Sequence, residues 1–568
     1  MALLFHIQAF ATHIFGGELL YTYQSGNTYT LQLTLYGDCA APSATFSTLY
    51  TAQPQIAIYR NTTFIDTVRM LPENNTGVEV SPVCPSQLNN TQCHNGTLPG
   101  VRKFVYTTDI TLNTTDLNWR FVFDGNLLGT SAGRSSSITN ISAPSSTNLL
   151  TLEARLNNTN GPNSSPQYNT IPTPYYAVNL PQEYNQGAVD SDGDSLSFSL
   201  IPAVDVNGNP VNYVAPATAA VPMATAAGQF SFSPYSGQMS FQPNAIQDAL
   251  IVNQVTEYKN GTLVGSSMRE MTFIVLDNLG SFNNIQNTQP LNVSGGALTG
   301  NNIIATCKEA LSFDIFPGDT AHNNITITYT SLPPGASIII SNNSSANPGL
   351  HFSWNTSSYP VGSYIFYVIY KNNACPISTS ETIAYTVNVK DPYALVSVTQ
   401  LGAGCDAAIP VIVAFSGKPP VDLVITHQAD TFWKLVCLTD TISFTLPTGD
   451  FTGTFVSTDN ACASAFNFTI ADSAALPCCR FSYPTAFTPN NDGKNDRFRV
   501  ITSSQPITFD LSIYDRWGKR VFRSSDPQAG WDGTSHGRPC NADVYFYRVY
   551  AKCLGNVEVK KGNITLIQ

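Results

Sequence analysis

The stretch YTLQLTL, residues 29–35, alternates apolar and polar side chains along its length. Successive side chains of a β-strand point to opposite faces of the sheet, so this pattern predicts a strand with one buried face. Further strand candidates are residues 55–60, 64–70, 102–112, 118–124 and 148–156. Together these strands are sufficient for one β-sandwich, and we expect a first domain over residues 12–158.

Three more modules follow with the same combination of short strands and turns. Residues 159–280 contain strand–turn–strand units with turns at 233–237 and at Asn260-Gly261, and they resemble the cadherin-like or immunoglobulin-like repeats of bacterial surface proteins. The strand spacing of residues 281–392 and 393–477 is typical of immunoglobulin-like sandwiches. We therefore predict an all-β fold of tandem immunoglobulin-like and cadherin-like β-sandwich domains.

The composition of the 568-residue chain supports this fold class. Charged residues make up 11% of the chain, whereas ordinary soluble proteins have roughly 25%. The 36 prolines and 38 glycines are scattered, which favours short strands joined by turns over long helices. The net charge of −11 argues against the basic face that phosphate binding requires, so we expect no nucleic-acid partner.

The C-terminal residues 478–568 contain four motifs in a fixed order: YPTAFTPNNDGKND (483–496), LSIYDRWGKRVF (511–522), WDGTSHGRPCNADVYFYRVY (531–550) and KGNITLIQ (561–568). They resemble the gliding-motility-associated (type B) C-terminal sorting domain of Bacteroidetes surface proteins, which is read by the type IX secretion system. The sorting-motif residues are Pro489, Asn490, Asp492, Gly493, Asn495, Asp496, Arg516, Trp517, Gly518, Trp531, Asp532 and Gly533. Asn491 departs from the Gly that the family usually has, and Cys540 and Cys553 lie outside the usual pattern.

This resemblance implies export through the type IX machinery, with a cognate outer-membrane partner, to the cell surface or extracellular space. The N-terminal MALLFHIQAFA has an apolar run and an A-x-A-like end, and it resembles the tail of a secretory signal peptide without its basic n-region. We expect a signal peptide at residues 1–11, cleaved after Ala11, whose start is truncated or misannotated; the alternative is an ordinary first strand. No later stretch reaches the roughly 18 apolar residues of a membrane helix.

Twelve cysteines, without C-x-x-C spacing, indicate disulfides formed in an oxidising compartment. Connectivity does not follow from sequence, but pairs inside one predicted domain are the natural expectation. These pairs are Cys84–Cys93, Cys307–Cys375, Cys405–Cys462 and Cys540–Cys553.

Two acidic turns are candidate Ca²⁺ sites, and Ca²⁺ is the one cofactor that the sequence suggests. DSDGD places the carboxylates of Asp190, Asp192 and Asp194 close together, and crowded hard oxygens suit this ion. NNDGKND offers the side-chain oxygens of Asn490, Asp492, Asn495 and Asp496. The alternative for both is an ordinary turn, since Asp, Asn and Gly favour turn geometry without a metal.

Aromatic side chains in the sorting motifs have two interpretations. We expect Trp517 and Trp531 to pack inside a small domain rather than to form a ligand platform. Arg516 and Arg520, beside Trp517, suggest a recognition surface for the secretion machinery. No H-E-x-x-H, P-loop or G-x-G-x-x-G motif occurs, so we expect no enzyme.

The sequence therefore predicts an exported surface adhesin or structural surface protein that binds a glycan or protein ligand. One alternative is a self-assembling extracellular filament or sheath subunit, in which strand edges pair between copies. Another is a carbohydrate-binding or hydrolytic secreted protein.

Overall fold

The computed structural model describes residues 11–40, 46–74, 76–142, 148–172, 174–277, 285–401, 409–427, 430–459, 461–471, 479–502, 505–553 and 557–567. Almost every regular element in these ranges is a β-strand, which confirms the predicted all-β fold class. The helical elements there are α1 (Phe46–Leu49) and two 3₁₀ turns, Pro85–Asn90 and Gln92–His94. None of the described helices is long and apolar enough to cross a membrane. Residues 1–10, which hold most of the expected signal peptide, lie outside the described ranges.

The chain divides into two compact units, residues 1–390 and 391–568. The strands of the first part of the first unit are β1 (Ala11–Ser25), β2 (Thr28–Asp38), β3 (Gln55–Arg60), β4 (Thr63–Arg69), β5 (Leu71–Pro72), β6 (Val78–Glu79), β7 (Val101–Thr111), β8 (Trp119–Phe123), β9 (Ser131–Arg134), β10 (Leu152–Leu156), β11 (Gln167–Tyr168), β12 (Tyr175–Ala177), β13 (Gln182–Tyr184), β14 (Ala188–Val189), β15 (Ser195–Leu200), β16 (Thr225–Phe232), β17 (Met239–Pro243), β18 (Gln247–Lys259) and β19 (Thr262–Leu276).

One large sheet organises these residues, with the strand order β4-β3-β8-β10-β19-β1-β2-β7-β5. The stretch 29–35 lies in β2, where Leu31, Leu33 and Leu35 are fully buried, as the alternation predicts. The turn at Asn260-Gly261, with φ of +52° and +78°, joins β18 to β19 as an antiparallel hairpin. Both β1 and β10 pair with β19, so the sheet crosses the boundary that we expected between residues 158 and 159. That boundary is wrong because β19 is long enough to pair with strands of both predicted domains.

Residues 285–389 form a β-sandwich of two packed sheets, close to the predicted domain 281–392. Its strands are β20 (Ile285–Gln286), β21 (Leu291–Ser294), β22 (Ala297–Gly300), β23 (Ile303–Thr306), β24 (Ala310–Ile315), β25 (Gly318–Asp319), β26 (Ile325–Thr330), β27 (Ser337–Ser341), β28 (Gly349–Asn355), β29 (Gly362–Asn372) and β30 (Ser380–Val389). The rings of Phe313, Phe352 and Phe366 stack in its core, with centroids 4.6 and 5.1 Å apart.

The second unit contains a sandwich and a C-terminal module. The sandwich strands are β31 (Ala394–Gln400), β32 (Ile409–Ser416), β33 (Val421–His427), β34 (Asp430–Cys437), β35 (Thr441–Leu446), β36 (Gly449–Ser457) and β37 (Ala463–Ile470). The C-terminal strands are β38 (Phe481–Ser482), β39 (Ala486–Phe487), β40 (Ile501–Thr502), β41 (Thr508–Tyr514), β42 (Arg520–Ser524), β43 (Thr534–Ser535), β44 (Arg538–Pro539), β45 (Asp543–Lys552) and β46 (Val557–Leu566). The main C-terminal sheet has the order β39-β46-β45-β41-β42.

Disulfides are present, as predicted, but their connectivity differs from the expected one. The described bridges are Cys39–Cys93, Cys84–Cys375 and Cys479–Cys553. The expected pairs Cys84–Cys93, Cys307–Cys375 and Cys540–Cys553 are therefore wrong. Cys405 lies outside the described residues, so its pairing with Cys462 stays a prediction.

The wrong pairs share one physical cause, which is that strands distant in sequence meet in space. The backbone N–H of Cys84 donates to the Pro376 carbonyl (3.0 Å), and Val83 forms a β-bridge with Ile377. These contacts bring Cys84 to Cys375, 291 residues away, rather than to a cysteine nearby in sequence. Cys540 is a thiol, and it lies beside the Tyr545 hydroxyl.

Candidate functional site

The loop of residues 488–496 in the C-terminal module is closed by its own side chains. One Asp496 carboxylate oxygen accepts the Asn491 N–H (2.6 Å), and the other accepts the Gly493 N–H (2.8 Å). Asn491 and Gly493 both have positive φ, +61° and +82°. Asn tolerates the left-handed region better than most residues, which explains why Asn491 can replace the usual Gly.

Other side-chain oxygens that we considered for Ca²⁺ also accept hydrogen bonds from within this loop. Asp492 accepts the Lys494 N–H (2.7 Å) at one oxygen and the Asn490 side-chain amide (3.1 Å) at the other. Asn495 also has a positive φ, +52°, and its carbonyl accepts the Thr488 N–H (2.9 Å). This geometry favours the turn interpretation of the loop.

Trp531 is the centre of the C-terminal core. Its side chain is 0% exposed, and its ring packs against Phe487 and Tyr545 with centroids 5.3 and 4.7 Å away. The indole N–H donates to the Thr534 carbonyl (2.8 Å), so the buried polar atom is satisfied. The prediction that Trp531 packs inside the module is confirmed.

The Asp532-Gly533 pair shapes the turn after this tryptophan. An Asp532 carboxylate oxygen accepts the Thr534 N–H (3.0 Å). Gly533 has φ +77°, and a Cβ there would lie 2.9 Å from the Leu566 Cδ1 atom. Only glycine fits this position, both for its backbone conformation and for space.

The turn between β41 and β42 carries the other sorting tryptophan. One Asp515 carboxylate oxygen accepts the N–H groups of Trp517 (3.0 Å) and Lys519 (2.9 Å). Gly518, with φ +81°, completes the turn. These contacts fix the turn through its backbone and leave the indole without a role in closing it.

Trp517 is 85% exposed, so our expectation that it packs inside the module is wrong. Arg516 beside it forms an ion pair with Asp543, and Arg520 begins β42 next to the turn. Binding hot spots are enriched in tryptophan and arginine. The turn is therefore a candidate contact surface, in line with the recognition hypothesis for Arg516 and Arg520.

The acidic turn of the first unit brings its three aspartates together. One Asp190 carboxylate oxygen accepts the backbone N–H groups of Asp192 and Asp194, both at 2.9 Å. Asp192 accepts the Ser164 N–H (2.6 Å). Burial raises the pKa of the Asp190 and Asp194 carboxyls. As the side chains lie, no group of three or more His, Cys, Asp or Glu in the described ranges is close enough to hold a metal ion.

A cleft of about 1080 Å³ lies beside this turn, inside the first unit. One wall comes from residues 183–240 and includes Asp190 and Asp194; the other comes from residues 301–388. Tyr235 lines the cleft and is 81% exposed. Sequence reasoning missed this cleft because its two walls belong to segments that we assigned to separate domains.

Comparison with known proteins identifies the C-terminal module. Residues 481–566 match the family model described as the CHU_C Type IX secretion signal domain. This module is a type IX secretion signal. The protein is therefore directed to the cell surface or extracellular space, and the disulfides suit that location.

The solved structures that the chain is similar to are tandem immunoglobulin domains. A three-domain titin fragment is 9% identical with TM-score 0.21, covering 55% of this chain and 99% of that chain. Drosophila OTK extracellular domains 3–5 are 11% identical with TM-score 0.22, covering 58% and 98%. At these TM-scores the likeness carries no argument about function. The search of curated proteins found no match.

In the first unit, the structure also reveals two buried polar residues near the acidic turn, Glu257 and Asn163. Glu257 of β18 is 0% exposed, and one of its carboxylate oxygens accepts the Asn163 side-chain amide (2.6 Å). Burial raises the Glu257 pKa strongly, and the nearby aspartates raise it further. Sequence reasoning missed this pair. The available signal was a glutamate inside the otherwise apolar strand QDALIVNQVTEYK.

Proposed function

We propose that the protein is a surface adhesin, which binds an extracellular ligand in the cleft of the first unit after the type IX signal has directed its export. Binding without catalysis is the proposed activity. The observation that carries the proposal is the Tyr235 ring, which is 81% exposed on a cleft wall. When a ligand covers a large aromatic surface that is exposed to water at a concave site, the free energy falls, because apolar surface is removed from water.

The polar lining of the cleft suggests a hydroxyl-rich ligand. Asn302 and Ser331 are among the residues that line the cleft, and within the described part of the chain neither Asn302 Oδ1 nor Ser331 Oγ, both buried, has a hydrogen-bond partner. Such atoms accept or donate hydrogen bonds to ligand hydroxyl groups at little cost, because they give up no existing bond. A flat ring together with buried amide and hydroxyl groups favours a glycan.

A glycan array with the purified exported chain tests this proposal. Wild-type protein should bind a defined set of glycans, and Tyr235→Ala should lower that binding at least tenfold, because interface aromatics often contribute more than about 1.4 kcal/mol. Tyr329→Ala is the matched control, since Tyr329 is also exposed but does not line the cleft. Absence of glycan binding by the wild type, or equal binding by both variants, would contradict the proposal.

The second candidate is a self-assembling subunit, and the exposed edge strand β4 favours it. Phe64 and Ile65 are 55% and 45% exposed on this strand, which ends the large sheet. Asp66 and Arg69 on the same strand oppose pairing with another copy, and for this reason self-assembly is the second candidate rather than the first. Light scattering separates the candidates, since an adhesin stays monomeric and a subunit forms polymers that Phe64→Lys abolishes.

A further inference from the structure

The cleft of the first unit carries charge of one sign only. Its lining includes three carboxylates, those of Glu183, Asp190 and Asp194, all on the wall of residues 183–240. The other wall, residues 301–388, contributes amide, hydroxyl, aromatic and apolar side chains. None of the lining residues that the structure describes is Lys, Arg or His. A cleft with carboxylates and no basic side chain has a negative potential, which its low-dielectric walls strengthen.

Neutral groups hold these carboxylates in place and do not cancel their charge. Glu183 Oε2 accepts hydrogen bonds from the Gln238 side-chain amide (2.7 Å) and from the Ser240 hydroxyl (2.8 Å). One Asp190 oxygen accepts two backbone N–H groups of its own turn, both at 2.9 Å. The ion pairs among the described residues include none of the three lining carboxylates. Their negative charge therefore acts on any molecule that enters the cleft.

Lys259 does not offer a ligand the missing positive charge. Burial raises the pKa of the Asp194 carboxyl, and the Lys259 ammonium opposes this shift. Lys259 is the last residue of β18, and it does not line the cleft. Its charge therefore weakens the negative potential near Asp194 without providing a contact for an anion.

Hydrogen bonds join the two walls, so the cleft is formed before a ligand arrives. The Tyr367 hydroxyl donates to the Ala188 carbonyl (3.0 Å), and the Ala384 N–H donates to the Gln238 side-chain carbonyl (3.0 Å). All four residues line the cleft, and each bond connects one wall to the other. A ligand therefore meets the carboxylates where they already lie, and no movement of the walls is required.

We propose that the cleft takes an uncharged glycan and excludes glycans that carry carboxylate or sulfate groups. This inference rests on the proposed glycan-binding function and specifies its class of ligand. A carboxylate accepts hydrogen bonds and donates none, so it pairs well with sugar hydroxyl groups and poorly with another anion. An acidic sugar entering the cleft gives up hydration, finds no basic partner and is repelled by like charges.

An array of matched glycans tests this specificity, with each neutral backbone printed beside its uronic-acid and sulfated forms. The full exported chain should bind the acidic forms at least tenfold more weakly than the neutral forms in about 0.1 M NaCl. This discrimination should shrink in about 1 M NaCl, where the Debye length falls from about 10 Å to about 3 Å and the charges are screened.

Charge-removing variants assign the discrimination to the cleft. Asp194→Asn removes one lining charge and keeps the shape of the side chain. The readout is the ratio of affinities for neutral and acidic forms within each variant, so a general loss of binding cancels. This ratio should fall at least threefold in Asp194→Asn and further in the double variant with Glu183→Gln. Asp66→Asn is the matched control, because it removes the same charge from the edge strand β4, outside the cleft, and should keep the wild-type ratio.

Three results would overturn the inference while leaving glycan binding in place. They are equal or tighter binding of the acidic forms by the wild type, an unchanged ratio in the double variant, and an equal fall of the ratio in Asp66→Asn. Binding of no glycan at all would instead contradict the proposed function, and the specificity would fall with it.

Discussion

Replacing Glu270 with Gln should destabilise the first unit by breaking a buried ion pair. Arg134 and Glu270 have side chains that are 0% and 1% exposed, and they meet in a two-point contact (2.7 and 2.9 Å). The Arg134 guanidinium also donates to the Val204 carbonyl (2.9 Å). In the variant, one buried positive charge keeps its desolvation cost and loses its neutralising partner.

The expected loss follows from the burial of the pair. Removing one partner of a buried pair costs about 3–5 kcal/mol, whereas replacing both by apolar residues of similar size is often neutral or stabilising. The first unit spans residues 1–390, so its unfolding entropy is roughly 0.8 kcal/mol/K near its melting temperature. The single variant should therefore lower the Tm by about 4–6 °C.

Calorimetry of the purified chain measures this shift, and a double variant makes the reasoning refutable. Arg134→Met combined with Glu270→Met should recover most of the lost Tm, because no charge is left unpaired. If the double variant melts as low as, or lower than, Glu270→Gln, the loss comes from packing and the account of an uncompensated buried charge is wrong.

Three further outcomes are expected. Peptide mapping of the non-reduced chain should recover the three described bridges, and a peptide joining Cys84 to Cys93 would contradict the structure. Trp517→Ala should reduce the surface amount of the protein several-fold while the module stays folded, because the ring is 85% exposed; equal loss in Phe546→Ala, another exposed ring of that module, would argue against a specific contact. Burial raises the pKa of Asp248 to about 6, so the folded state binds this proton more tightly than the unfolded chain does. The folded state therefore loses stability as the pH rises from about 4 to 6. Asp248→Asn should therefore raise the Tm at pH 7 and leave it unchanged at pH 4 in melting curves, and equal shifts at both values would refute this.

Several features followed from local sequence because local physics determines them. The alternation of residues 29–35 predicts which side of β2 is buried, since every second side chain of a strand points to the same face. Asn260-Gly261 predicts its hairpin, because both residues accept positive φ. The ordered C-terminal motifs indicated the type IX secretion signal, which the family match confirms.

The two tryptophans of this signal show where local patterns stop. Both lie in turn motifs with aromatic neighbours, and we expected both to pack inward. Trp531 is buried between Phe487 and Tyr545, which come from strands on either side of it in sequence. Trp517 is exposed, in a turn that the Asp515 carboxylate holds through its backbone. Only the folded position of each turn separates the two cases.

The sequence by itself therefore determined the fold class, the buried faces of individual strands, and the export signal. Tertiary structure alone decided which distant segments meet: β1 with β19, Arg134 with Glu270, Cys84 with Cys375, and Asn163 with Glu257. A strand's alternation specifies a face but not a partner, and many pairings satisfy the same local pattern. The choice among them rests on the packing of the whole unit, because only there do buried charges and polar atoms find partners.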